Sequence, residues 1–206
     1  MRQRFRLAGC SDAETRVAST NVSRMMRSMS KVATYPIVLT SRRLLLRPLK
    51  IADAAGLARM TNDPLVTRNL LKTAMPFTTA DARELILRAR KKKSPVWAID
   101  TGQLVGLIGL AGEFGYWLGR SAWGRGFASE AACLVINHAF ECLEIDALHA
   151  SPIADNKASR HLLEKLGFER NGVARAFCSE RSKVVPLIRY KLERLTWEKA
   201  QSRDRR

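Results

Sequence analysis

The sequence predicts a single mixed α/β domain of the α+β kind, with six to seven mostly antiparallel strands flanked by about four helices. Three observations carry this. Strand-like and helix-like patterns follow one another in the order strand, helices, three-strand meander, helix, strand, helix, two strands. No internal repeat and no linker-like stretch divides the chain. At 206 residues with 46% hydrophobic side chains, it is long enough to fill one core. The domain is expected over residues 35–198, between a basic extension at 1–34 and a basic tail at 199–206.

From Tyr35 a polar scatter gives way to distinct elements. The run "RRLLLRPL", Arg42 to Leu49, reads as a first strand, and "ADAAGLARM" as a helix capped by Asp53. A short helical piece is expected within "NDPLVTRNL". In "TTADARELILRARKKK", Thr78 stands three residues before Asp81 in the manner of a capping box, Ala82, Leu85, Ile86 and Ala89 share one face, and Pro95 ends the helix. "PVWAID" and "QLVGLIGL" form a hairpin through "DTGQ", and "EFGYWL", Glu113 to Leu118, is a further strand after the short link Ala111–Gly112. "ASEAACLVINHAFECL" repeats apolar residues at helical spacing. "ALHASPIAD" is another strand, "NKASRHLLEKLGF" a helix closed by Gly167, and "FCSE" with "VVPLIRYKLERL" the last strands.

The formal charge of +17 predicts attraction to polyanions such as nucleic acid, the ribosome, anionic membrane or a phosphorylated cofactor, and decides nothing about fold. Five of these net charges lie in the first 34 residues, where seven Arg/Lys face only Asp12 and Glu14. That segment has the Arg- and Ser-rich, acid-poor composition of an organellar transit peptide. It equally fits a disordered extension or, given Met25, Met26 and Met29, a start assigned too early. Cys10, Cys133, Cys142 and Cys178 contain no C-x-x-C pair, and His138, His149 and His161 are not grouped with them at ligand spacing, so no metal is expected. Cys133 and Cys142 read as small buried hydrophobes, which fits a reducing, cytoplasmic setting. No apolar run approaches the roughly 18 residues of a membrane helix, because Asn137 and His138 interrupt the longest candidate.

Between the meander and the long helix stands "SAWGRGFASEA", Ser121 to Ala131. A helix start presents amide N–H groups without intrahelical partners together with partial positive charge. Gly124 and Gly126 clear side chains from the approach to those amides. With Arg125 beside it and Phe127 and Ala128 in the first turn, the stretch reads as a main-chain cradle for a pyrophosphate. A tight strand-to-helix turn would use the same glycines. No G-K-[ST] follows, so it is not a P-loop, and the third glycine of a dinucleotide fingerprint is missing.

Thirty-two residues after Gly124, Asn156 opens "NKASRHLLEKLGF". With this second motif the chain, over about Thr40 to Trp197, resembles the GNAT superfamily of acyl-coenzyme A dependent N-acyltransferases, and within it the ribosomal-protein N-acetyltransferases. The glycine loop is similar to that family's Q/R-x-x-G-x-G/A except at Ser121. Gly115 to Trp117 and Trp123 to Ala131 follow its "GYW" and "WGxGxAxEA" pattern, and Asn156, Ser159, Leu163, Lys165, Gly167 and Phe168 its later "N-x-x-S" and "L-x-K-x-G-F". The resemblance implies two central parallel strands, "EFGYWL" and "ALHASPIAD", splayed apart around acetyl-coenzyme A. Main-chain groups of Trp117 and Leu118 would hold the pantetheine arm, and Gly124, Arg125, Gly126, Phe127 and Ala128 the pyrophosphate. Asn156 would orient the arm or Ser159, and Arg160 or Lys157 would approach the 3′-phosphate. The Ala111–Gly112 link is shorter than the resemblance implies, so the acceptor site is expected to depart there.

Acetyl transfer to an amine needs a neutral nucleophile, a donor for the oxyanion and a proton for the leaving thiolate. The Leu118 N–H is the expected oxyanion donor. Many members of the family carry a tyrosine seven residues beyond the asparagine, but that position is Leu163 here. The resemblance therefore points to Ser159 as the acid; an ordinary helix serine would instead bond a carbonyl one turn back. Asn156 doubles as a helix N-cap. Glu113 is the expected base, and Tyr116 or Trp117, with Tyr116 the choice, is expected to wall the acceptor pocket. Glu130 complements the helix dipole, and the three histidines read as structural. The acceptor is expected to be a protein N-terminal α-amine ahead of a polyamine or aminoglycoside, the enzyme being a monomer or homodimer. The competing reading is a catalytically idle fold that binds nucleic acid or the ribosome through "RARKKK" and the basic termini. No aromatic-and-basic stacking pattern accompanies those runs.

Overall fold

The computed structural model describes residues 37–204 apart from Ala74, residues 92–94 and Glu144. The basic extension at 1–34 lies outside the described residues, as do Cys10, Lys92 and Lys93. The first strand is a small hairpin rather than one run. Ser41 turns the chain by bonding Leu44 through its main-chain N–H (3.0 Å) and its hydroxyl (3.1 Å), so β1 (Leu39–Thr40) pairs antiparallel with β2 (Leu45–Arg47). Asp53 does not cap α1 (Ala54–Thr61). Its carboxylate instead accepts the Lys50 N–H (2.7 Å) and both arms of the Arg47 guanidinium (2.9 Å each), closing a 3-10 turn ahead of the helix. Burial pushes the Asp53 pKa up, but these donors outweigh it and hold the carboxyl below its ordinary value.

α2 (Pro64–Thr67) is capped by the Asp63 carboxylate, and α3 (Thr79–Lys91) opens on the reciprocal Thr78–Asp81 box. β3 (Val96–Asp100), β4 (Leu104–Gly109) and β5 (Gly115–Leu118) form the antiparallel meander the sequence predicts. After α4 (Phe127–Cys142) come β6 (Ala147–Ala150), α5 (Lys157–Lys165), β7 (Glu169–Cys178), β8 (Lys183–Glu193) and α6 (Arg194–Asp204). The strands lie in two sheets, ordered β1-β2-β3-β4-β5 and β6-β8-β7.

Three further features depart from expectation. β7 begins eight residues before the predicted "FCSE", of which Ser179 and Glu180 belong to the following turn. α6 is an additional helix, and it takes in residues 199–204 of the expected tail. It is fastened where the Trp197 indole packs on Phe140 (5.3 Å between centroids) and donates to Asn137 Oδ1 (3.1 Å). Cys142 is exposed, because α4 ends there in solvent, whereas Cys133 is buried.

The principal core lies between α4 and both sheets, with Trp97 and Phe140 fully enclosed; α1 and α3 bury a second cluster against the opposite face of the first sheet. Among the described residues no helix is long and apolar enough to cross a membrane.

Candidate active site

Among the described residues one main-chain hydrogen bond joins the two sheets. The Phe114 N–H donates to the His149 carbonyl (2.7 Å), and beside it the Ser151 hydroxyl donates to Glu113 Oε1 (3.0 Å). No ladder joins β5 to β6 among the described residues, so the two strands diverge from this contact. Which groups line the opening follows from register. The Gly119 N–H bonds Val105 on β4 (2.9 Å), and Trp117 stands opposite Leu107. Alternate residues of an antiparallel strand direct their main-chain groups to the same neighbour. The amide and carbonyl of Trp117 therefore face β4, and those of Tyr116 and Leu118 face the opening. The main-chain role expected of Trp117 falls to Tyr116 instead. The Leu118 carbonyl is taken by the Trp123 indole N–H (2.8 Å), which leaves the Leu118 N–H as the donor on offer.

α4 follows β5 after a short 3-10 turn. Gly124 (φ +72°) and Gly126 (φ +77°) hold left-handed conformations that favour glycine, and no side chain caps the helix. Its first-turn amides, including those of Phe127 and Ala128, are left to a ligand. The sequence reading missed the residue that braces this turn, Arg43. Its guanidinium bonds Glu130 (2.5 and 2.8 Å) and the Arg125 carbonyl (3.2 Å) and lies over the Phe127 ring at 5.2 Å, with Arg125 over the same ring at 4.7 Å. Ser41 donates to the other Glu130 oxygen (2.5 Å). Burial raises the Glu130 pKa, but the hydrogen bonds from Ser41 and Arg43 and the guanidinium charge hold it below the ordinary carboxylate value. Glu130 is thus a neutralised anchor as well as a partner of the helix dipole. No local signal links Arg43 to Glu130 across 87 positions of sequence.

Across the opening, the Tyr116 hydroxyl lies 3.1 Å from Ser159 Oγ. Asn156 caps α5, its Oδ1 accepting the Ser159 N–H (3.1 Å), which fixes the serine facing β5. Burial pushes the Tyr116 pKa up to about 12, against a smaller lowering by the Ser159 hydrogen bond. Arg160 does not reach toward the gap. Its guanidinium bonds the Ala154 carbonyl (3.1 Å) and the Tyr190 hydroxyl (3.4 Å), while Lys157 is exposed on the first turn of α5. The structure therefore brings Glu113, Tyr116, Leu118, Asn156 and Ser159 around one gap and leaves Arg160 outside it. His138 is buried edge-on against Trp97 (6.0 Å), and its burial lowers its pKa; His149 and His161 are exposed. The basic run is largely engaged where it is described: Arg88 pairs with Glu84 and Arg90 bonds the Leu49 carbonyl (2.9 Å).

Open strand amides leading to a glycine-started helix suit a long carrier with amide groups along its arm and a diphosphate at its end. That arrangement fits the class of acyl-carrier dependent transferases. Residues 43–169 match the acetyltransferase (GNAT) domain family, and the chain belongs to that family. It is 29% identical over 170 residues to the uncharacterized N-acetyltransferase p20 of Bacillus licheniformis, covering 75% of this chain and 94% of that protein. It is 31% identical over 157 residues to the uncharacterized N-acetyltransferase YoaA of Bacillus subtilis, covering 69% and 88%. Two solved structures share the fold. One is a ribosomal-protein-S5-alanine acetyltransferase from Vibrio fischeri (TM-score 0.68, 17% identity, 79% of this chain and 99% of that one). The other is the microcin C7 self-immunity acetyltransferase MccE in complex with acetyl-CoA and AMP (TM-score 0.66, 18% identity, 74% and 93%). The chain is an N-acetyltransferase of the GNAT fold.

Proposed function

We propose that this enzyme transfers acetyl from acetyl-coenzyme A to a primary amine, a protein N-terminal α-amine in preference to a small polyamine or aminoglycoside. The observation that carries the reading is the divergence of β5 and β6 beyond the Phe114–His149 bond, with Tyr116 and Leu118 amides turned into the opening. The pantetheine arm pairs there, and the diphosphate rests on residues 124–128. Leu118 offers its N–H to the oxyanion that develops as the amine attacks the thioester. Ser159, backed by Tyr116, returns a proton to the departing sulfur. Glu113 removes the amine proton, directly or through water.

The modest base favours an α-amine. With a pKa near 8 such an amine is already partly neutral, whereas a lysine amine near 10.4 needs stronger help. The fold itself does not choose: one similar structure acts on a ribosomal-protein alanine and another is a microcin self-immunity enzyme. The resemblance of "GYW" and "WGRGFASEA" to the ribosomal-protein branch adds weight to the protein acceptor. The test is thiol release from acetyl-coenzyme A across peptides with free N-termini, polyamines and aminoglycosides. The reading expects the peptides to be turned over best; a polyamine or aminoglycoside with the higher kcat/KM overturns the preference.

A further inference from the structure

On the face of the first sheet opposite α4, a groove of about 390 Å³ runs between α3 and strands β3 to β5. It shares Glu113 and Tyr116 with the gap described above and is otherwise separate from it. Its floor is bare, because Gly109 and Gly115 stand directly opposite each other on β4 and β5 and leave one cross-strand pair without side chains. Leu85 and Ala89 of α3 form one wall. Trp117, two residues beyond Gly115 and so on the same face of the strand, forms the other.

The two glycines are bare for different reasons. A Cβ on Gly109 would strike the Pro95 carbonyl at 2.8 Å, so packing requires that residue to be small. A Cβ on Gly115 would meet nothing within 4 Å, and Gly115 does not have a positive φ. Neither backbone conformation nor packing calls for glycine at 115. What its missing side chain does is keep the groove open. At about 390 Å³ the space lies toward the lower end of the ~300–1,000 Å³ usual for small-molecule sites. Its lining is mostly apolar apart from Arg88 of α3, and the one carboxylate among the lining residues, Glu113, is the one that accepts the Ser151 hydroxyl at the gap.

We propose that this groove seats the side chain adjoining the acceptor amine, so that the acceptor is an amine bearing a bulky aliphatic or aromatic group, with its ammonium directed to Glu113. This rests on the acetyltransferase reading above and narrows it. An N-terminal leucine, methionine or phenylalanine has that form. A polyamine or aminoglycoside would lay several cations along a mostly apolar lining that already carries Arg88, with a single carboxylate to meet them, which costs desolvation without compensation.

The experiment compares phenylalaninamide, glycinamide and spermidine as acceptors for the wild-type enzyme and for Gly115→Leu. A side chain filling an apolar pocket discriminates by about 10- to 200-fold. Phenylalaninamide should therefore exceed glycinamide in kcat/KM by at least ~10-fold, and Gly115→Leu should erase most of that ratio while the acetyl-coenzyme A Kd changes less than about twofold. Ala89→Leu narrows the same groove from the helix side and should lower the ratio independently. Equal use of glycinamide, a preference for spermidine, or a ratio unchanged in both variants overturns the proposal. Should none of the three be acetylated although acetyl-coenzyme A binds, calorimetric titration of the same amines into the coenzyme A complex decides by the same ratio. Absence of acetyl-coenzyme A binding contradicts the enzymatic reading instead, and the amine titrations into the free protein still judge the groove.

Discussion

Tyr116 and Ser159 come from elements 43 positions apart in sequence and meet through their hydroxyls at 3.1 Å. With its pKa pushed up to about 12, Tyr116 keeps its proton at any pH at which the amine is neutral enough to react. It can therefore hold Ser159 in place without itself ionising. Ser159→Ala should lower kcat by about 10²-fold, within the usual range for a proton donor, and Tyr116→Phe by less. If the two act as a unit, the double variant resembles Ser159→Ala alone; additive losses in steady-state kinetics show that they act separately. Between about pH 6 and 9, kcat/KM should rise as the acceptor amine deprotonates, with no fall traceable to this pair. Ser159 and Asn156 were legible in the sequence because a local motif and an N-cap spacing mark them. The partnership with Tyr116 was not, since nothing near either residue encodes a contact between a strand and a distant helix.

At the scale of elements, the β1–β2 hairpin works as a clasp on the first turn of α4. Without Arg43, the Glu130 charge would stand unneutralised one turn from the place where a diphosphate must bind. Arg43→Ala should raise the acetyl-coenzyme A Kd by about tenfold or more, while costing no more than about 1 kcal/mol of stability because the guanidinium is partly exposed. Calorimetric titration and denaturant unfolding check the two parts. Glu130 has its pKa lowered in the folded chain, so its contribution is complete above the unfolded value near 4.3 and is lost as pH falls below it. The meander, α3 with its capping box, α4 and α5 were readable because their periodicities are strong. β7 was largely missed because "ERNGVARAFC" forms a sheet edge and alternates only weakly between buried and exposed positions. α6 was missed because "RLTWEKAQSRD" has no apolar stripe; Trp197, together with Arg194 bonding the Phe140 carbonyl and lying over its ring, ties it to the core.

For the whole molecule, the two sheets share one main-chain bond among the described residues and then part along a seam, and the helix that links β5 to β6 starts on glycine with no side chain capping its first turn. Sequence could place the glycine loop and the "NKAS" helix in order along the chain, but whether β5 and β6 pair or diverge is decided by packing of α4 and α5 against both sheets. The bare Gly109–Gly115 pair is equally silent in sequence, because opposition across strands depends on register. The central claim is that the seam and the α4 start together hold acetyl-coenzyme A. Thermal melting with and without acetyl-coenzyme A, for wild type and for Gly126→Trp, tests it most directly. At about 100 times its Kd the ligand should add roughly 2.7 kcal/mol to the wild type. It should add nothing to a folded Gly126→Trp, whose side chain would start 3.4 Å from the Arg43 guanidinium, at a backbone conformation that favours glycine, and so disturb the α4 start. No gain in the wild type, or an equal gain in the variant, would contradict the account.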